Sequence, residues 1–262
     1  RQLRLRGHFP LAGLAGQEQK KLSEEAQDTA RRVFSLHQEW PERIQEALPI
    51  EFRQGSLLLL EDWLDSLRRR GDSNYARLRE SPYLEREVSI RSRNYARLRE
   101  SPGSLLAAQG KKPKWYKLSH LWVTHLAGCA SGYTLTSYLA GADATVQLSP
   151  LSQAEAQTCL GQLIHAWHMG QRAPLPLDCK TAFTWLEEAD KNPVPPHKSQ
   201  KARTSYQGDE SSWGGSGQLE YDPYLERAYP DFDALTQHDN GAAFANWAQV
   251  LYQPLREHTE LL

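Results

Sequence analysis

The sequence predicts a mixed α/β (α+β) fold. Apolar positions recur at three- and four-residue steps before Pro41, then alternate around Ile50–Phe52. A helical face at Leu118–Cys129 is followed by an alternating run at Tyr133–Tyr138. These changes of period follow no regular βαβ rhythm, which separates the chain from doubly wound parallel folds. With 24% charged and 10% aromatic residues the composition is globular rather than disordered.

The first helix is expected from about Gln17 to Leu48, on Leu22, Ala26, Thr29/Ala30, Val33 and Leu36, with Pro41 breaking or kinking it. Ile50-Glu51-Phe52, the turn signal Gln54-Gly55 and Leu57 to Leu60 read as a hairpin ending in a buried strand. Glu61, Asp62 and Asp65 fall at its far end, either presenting a carboxylate or solvating a helix start. Asn74-Tyr75-Ala76-Arg77-Leu78-Arg79-Glu80-Ser81-Pro82 then recurs unchanged as Asn94 to Pro102. Two copies do not build a solenoid. One copy is expected in a strand and the other in a loop, with nothing in the sequence to say which.

Leu118, Leu121, Trp122, Leu126 and Cys129 mark an amphipathic helix that stops before Gly132. Tyr133–Tyr138 and Thr145–Leu148 form a second hairpin across Gly141-Ala142-Asp143. A helix starting at Ser149 or Ser152 and ending near Gly170 should bury Ala156, Leu160, Leu163, Ile164 and Trp167. A short helix opens around Phe183–Leu186. Residues 192–217, rich in Pro, Gly, Ser and Lys, read as a long mobile loop. The last helix carries Phe244, Trp247, Leu251 and Leu255, and Pro254 should end or bend it.

Charge divides the chain. Residues 68–117 hold fourteen Lys/Arg against five Asp/Glu, whereas residues 207–262 hold two against ten. The net charge of −1 hides this split, which assigns the basic stretch to a polyanion and the acidic one to protein contact. A solvated basic loop is the plain alternative. The acidic part offers Trp213, Tyr221, Tyr224, Tyr229 and Phe232 as interface anchors or as cover for its own core.

Several chemistries are disfavoured. Gly214-Gly215-Ser216-Gly217 lacks the lysine and preceding strand of a phosphate-binding loop, so ATP hydrolysis by this chain alone is not expected. His165 and His168 are helix neighbours without a third ligand at a recognisable spacing. Cys179 has no activating histidine beside it. Three widely spaced cysteines point to reduced thiols in a cytoplasmic protein, and no apolar segment follows Arg1–Arg6 as a signal peptide would require. The longest apolar run, Leu57–Leu60, is far short of the ~20 residues of a membrane span. The one Met is Met169, so the sequence is expected to be a piece of a longer chain.

The strongest chemical hint is the acids after Leu57–Leu60. Restriction-enzyme-type nucleases hold Mg²⁺ with an acid at a strand end and a second acid on the next strand, where a lysine orients the attacking water. Here the next strand reads Tyr75 to Arg79 or its twin Tyr95 to Arg99. Arginine stands in the second acid's place and would repel the ion.

With those residues in view, the chain resembles the C-terminal domain of the gamma subunit of exodeoxyribonuclease V, RecC of the RecBCD helicase–nuclease. The resemblance rests on Gly7-His8-Phe9-Pro10, Asp62-Trp63-Leu64, Ser104–Gly110, Leu121–Gly132, Arg172-Ala173-Pro174-Leu175-Pro176 and Lys201-Ala202-Arg203-Thr204, in order and spacing. The duplicated block before Pro102 departs from it. The resemblance implies a restriction-endonuclease-like (PD-(D/E)xK nuclease-like) core, a central mixed sheet flanked by helices with its active site lost, spanning residues 1–262. Residues 68–114 are then a basic insertion. It implies no cofactor, RecB-like and RecD-like partner subunits, and sequence-independent contact with single-stranded or forked DNA. Asp65 would be the vestigial nuclease position, and Arg68, Arg69, Arg70, Arg77, Arg79, Arg97 and Arg99 the phosphate contacts. The rival readings are a live Mg²⁺ nuclease using Asp65 with Glu61 or Glu100, and a protein-interaction module without DNA contact.

Overall fold

A computed structural model describes residues 14–54, 57–64, 67–70, 74–80, 118–140, 144–209, 217–237 and 241–262. In order, these form α1 (Leu14–Glu39), β1 (Glu42–Arg43), β2 (Leu48–Gln54), β3 (Leu57–Leu64), β4 (Leu67–Arg70), β5 (Asn74–Glu80) and α2 (Ser119–Ala130). Then follow β6 (Thr134–Ala140), β7 (Thr145–Leu148), α3 (Gln153–Gly170), α4 (Cys179–Ala189), α5 (Gln200–Gln207), α6 (Pro223–Ala228), α7 (Phe232–Thr236), α8 (Ala242–Glu257) and β8 (Thr259–Leu261). The class is mixed α/β, as the changes of period imply.

Six strands make one sheet in the order β1-β4-β5-β6-β7-β8, in which β5 and β6 run parallel and the other neighbours antiparallel. The parallel pair needs a crossover, and α2 supplies its helical part. The first copy of the repeated nonapeptide is the inner strand β5, while the second copy lies outside the described residues. The expected hairpin is present as β2–β3, a separate antiparallel pair with a bulge after Phe52.

Strand parity sorts the two faces of the main sheet. Tyr138 and Ala140 pack with Leu36 and Trp40 from α1. Leu135 joins the larger cluster with Leu121, Trp122 and Leu126 of α2 and Ala156 and Leu160 of α3. The hairpin closes that cluster with Ile50, Phe52 and Leu64. Gly128 allows the close approach: a Cβ there would stand 2.7 Å from Leu135 Cδ2 and 3.1 Å from Leu64 Cδ2. Gly132, at φ +91°, ends α2 in a Schellman motif, with Tyr133 N–H donating to the Gly128 carbonyl and Gly132 N–H to that of Cys129.

A second cluster gathers Trp185 and Leu186 of α4, Ala202 and Tyr206 of α5, Phe232 and Leu235 of α7, and Phe244 and Ala248 of α8. Each of these helices except α8 starts on a side-chain cap, respectively Asp178, Ser199 and Asp231. Tyr252 packs against both clusters, its ring 4.8 Å from that of Phe183.

Five sequence expectations are corrected. The first helix ends at Glu39 rather than near Leu48, because Trp40-Pro41 turns the chain into β1. Glu61 and Asp62 lie inside β3, not beyond it, and no helix starts there. The amphipathic α2 is buried on nearly all sides in its second half, from His125 to Ala130. Trp167 continues the apolar stripe of α3 but is 66% exposed, since cover is withdrawn along the helix from Leu160 through the half-buried Leu163 and Ile164. Residues 192–217 contain α5, whose Ala202 and Tyr206 are fully buried, so the stretch is not one long loop. Pro254 neither ends nor replaces the last turn of α8, which runs on to Glu257 at the loss of a single amide donor.

Candidate nucleic-acid interface

Three arginines of β4 stand beside the edge strand β1. Arg68 donates through Nε to the Trp40 carbonyl and through Nη2 to that of Pro41, the latter at 2.8 Å. Arg69 forms a two-pronged pair with Glu42, Nε at 3.0 Å from Oε2, and the guanidinium holds that carboxyl below its usual range. Arg70 Nη1 is 3.5 Å from Glu39 Oε1. Thus the run Arg68-Arg69-Arg70 ties the sheet to the end of α1 and the chain after it. Its partners are Glu39 and Glu42, on the helix end and the strand beside it.

Register divides the basic residues further. In β5, Arg77 pairs with Leu67 on one side and Ser137 on the other, and Arg79 pairs with Leu139. Parity groups Arg69 with Arg77 and Arg79, while Arg68 and Arg70 alternate with them. The candidates therefore do not form one stripe along a single face. Arg97 and Arg99 lie outside the described residues, as do Asp65 and Glu100.

The acids expected near a metal are dispersed. Glu61 and Asp62 belong to the hairpin sheet, and both are exposed. Glu61 stands opposite Glu51, and Asp62 Oδ1 accepts from the Trp63 amide at 2.8 Å. The strand of the main sheet that should carry the second acid carries Arg77 and Arg79. These residues do not fit Mg²⁺, and among the described residues no group of three or more His, Cys, Asp or Glu converges on a point.

His165 and His168 look to different neighbours: the His165 ring stacks on Trp247 at 6.1 Å, and His168 Nε2 meets Arg172 Nη2 at 3.2 Å. Cys179 opens α4 against Tyr252, and burial pushes its thiol up to about 11, the opposite of nucleophile activation. All three cysteines are free thiols.

One polar constellation escaped the sequence reading. His125 is fully buried, with Nδ1 3.0 Å from Ser137 Oγ and Nε2 3.0 Å from the Ser149 carbonyl. A carbonyl only accepts, so Nε2 carries the proton and Nδ1 accepts from the Ser137 hydroxyl. Burial lowers the imidazole to about 4 and keeps it neutral. A Ser–His pair has the chemistry of a general base, yet Ser137 is equally buried, so the pair serves as an internal clamp between α2, β6 and the chain after β7. Its signal was present: His125 sits one turn from both Trp122 and Cys129, on the face already assigned to the core.

Among the described residues no helix is long and apolar enough to cross a membrane. No individual curated protein matches the chain. The family described as RecC C-terminal domain matches residues 1–190. That span takes in the sheet from β1 to β7, both helices of its crossover side and α4, nearly three-quarters of the sequence. The chain belongs to the RecC C-terminal domain family.

Proposed function

We propose that this chain is a non-catalytic structural and DNA-guiding domain of a RecBCD (exodeoxyribonuclease V) complex, acting where double-strand ends are processed for recombinational repair. Its six-stranded mixed sheet is read as a restriction-endonuclease-like (PD-(D/E)xK-like) core whose metal site has been lost. The carrying observation is the sequence of β5. An inner strand beside a parallel neighbour, where such a core has its second acid, presents Arg77 and Arg79 instead. The acids that remain visible, Glu61 and Asp62, belong to another sheet.

RecB-like and RecD-like subunits are the proposed protein partners, in the cytoplasm, with the acidic 207–262 part facing protein rather than phosphate. Residues 68–114 are proposed as the basic insertion that touches single-stranded or forked DNA through phosphates, with no cofactor. The test is affinity for forked DNA at two salt concentrations. Four to six phosphate contacts give a log–log slope of roughly −3 to −5. Arg68, Arg69 and Arg70 changed together to Ala should weaken binding and flatten that slope; an unchanged slope refutes the guiding role. Nuclease activity with Mg²⁺ that disappears in Asp65→Ala would restore the rival enzyme reading.

One observation favours a second reading, a pure interaction module. Arg68, Arg69 and Arg70 are already engaged within the chain, while Trp63, Tyr221 and Tyr224 are 65%, 63% and 83% exposed. Undiminished assembly with the partner subunits by a variant that no longer binds DNA would favour it.

A further inference from the structure

The repeated nonapeptide carries an inference of its own. Residues 74–80 fill β5 through fixed pairings: Asn74 with Arg70 and Thr134, Tyr75 with Arg69 and Leu135, Ala76 with Arg68 and Thr136, Arg77 with Leu67 and Ser137. Residues 94–100 are the same seven amino acids in the same order, followed by the same Ser-Pro. Every pairing that β4 and β6 make with the first copy is therefore equally available to the second. We propose that the two copies compete for the β5 position, so that the domain has two registers differing only in which copy is in the sheet.

The sheet itself does not choose between them, because the strands are identical. Chain connectivity does. With the first copy in place the connections span residues 71–73 and 81–118; with the second they span 71–93 and 101–118. Closure of a flexible connection becomes rarer as the three-halves power of its length. The short 71–73 link then favours the first copy by about sevenfold. That is consistent with its place in the sheet and still leaves about one molecule in eight in the alternative register.

Register slips are ordinarily forbidden where one face of a strand is buried, because a slip by one residue inverts every side chain. A shift of twenty residues onto an identical strand escapes that penalty. Its consequence is topological. The segment 83–93, which includes Arg86, Arg91 and Arg93, passes from the connection after β5 to the connection before it. The exchange thus moves a charged segment from one end of an inner strand to the other without altering the core, and it holds whatever the domain binds.

Proline substitution separates the copies. Ala76 is paired on both sides, so a proline there removes a ladder donor from an inner strand. In the full chain, Ala76→Pro should lower the folding equilibrium constant only about eightfold, because the second copy takes over. Ala96→Pro alone should change it by less than about 1.5-fold, and the double variant should lose the sheet. A single Ala76→Pro as destructive as the double variant overturns the proposal, as does a double variant that remains folded. Hydrogen exchange on the unaltered chain gives a second readout. Amides of residues 74–80 should show protection no greater than about eightfold, while those of β6 carry the protection of the whole domain. Protection over 74–80 equal to that of β6 also overturns it.

Discussion

The sheet-centred cluster and the helical cluster solve the same problem by different means. Around α2, burial is carried by long apolar side chains from seven elements, and the buried imidazole of His125 is satisfied internally at both nitrogens. Around α5, the helices have five to eleven residues apart from α8, too short to persist alone. Polar anchors fix their ends: Ser199, Asp178 and Asp231 cap them, and Tyr206 and Tyr229 donate to the carbonyls of Tyr229 and Pro174. The first region is specified by apolar area and the second by a few directional bonds holding small apolar contacts in place. Substitutions should therefore act through different physics in the two.

The largest effect should come from Trp122. Its ring is 2% exposed and lies between the rings of His125 and His258, at 5.7 and 6.1 Å. Trp122→Ala should cost ~3–5 kcal/mol in denaturant unfolding. A loss under about 1 kcal/mol would show that the sheet-centred cluster does not depend on packing around α2.

Next comes a pH dependence that belongs to the same region. An unfolded chain protonates His125 near 6.5, and the folded one only near 4. Between these values the unfolded state binds the additional proton, so its contribution is fully favourable above pH 6.5, declines as pH falls, and levels off below 4. The loss is at most about 3 kcal/mol, from the 1.36 kcal/mol carried by each pKa unit. Urea titrations at pH 7, 5.5 and 4.5 should show this decline in the native chain and a shallower one in His125→Gln. Equal slopes would place the acid sensitivity elsewhere.

What was legible follows the same division. The hairpin β2–β3, the pair β6–β7 and helices α2 and α3 announce themselves through period and through Gly132, because extended apolar patterns encode burial directly. Trp167 marks the limit: a period assigns a face but cannot say how far the neighbouring elements reach. The 192–217 reading failed for a different reason. Its Pro, Gly, Ser and Lys content hides a single apolar pair, Ala202 and Tyr206 at i and i+4, behind the cap of Ser199. The candidate site was legible as composition only. Nothing local reveals that Arg69 will meet Glu42, that Arg70 will meet Glu39, or that β3 will leave the main sheet, since those depend on strand order.

In the helical region, Tyr206→Phe should cost about 1–3 kcal/mol. The ring is fully buried and its hydroxyl lies 2.6 Å from the Tyr229 carbonyl, which the variant would leave without that donor. The effect should be smaller than that of Trp122→Ala while the apolar cluster stays intact. A neutral result in thermal unfolding would mean that water replaces the phenol, and that directional bonds matter less here than proposed.

The smallest and sharpest comparison lies within two residues. Asp231 and Asp233 are both acids at the start of α7, yet they do different things. Asp231 accepts from the Ala234 amide at 2.6 Å and so fixes the first turn of a five-residue helix that buries Phe232 and Leu235. Asp233, 72% exposed, pairs with Arg203, whose guanidinium also sits 5.0 Å over the Phe232 ring. Loss of a cap costs typically ~1 kcal/mol and is indifferent to salt. An exposed ion pair contributes roughly 0–1 kcal/mol and is screened. Asp231→Ala should therefore destabilise the chain more than Asp233→Asn. The small effect of Asp233→Asn should vanish in 1 M NaCl, while that of Asp231→Ala persists. The reverse order would mean that α7 is held by charge at its surface, and that the contrast between the two clusters lies in electrostatics rather than in capping.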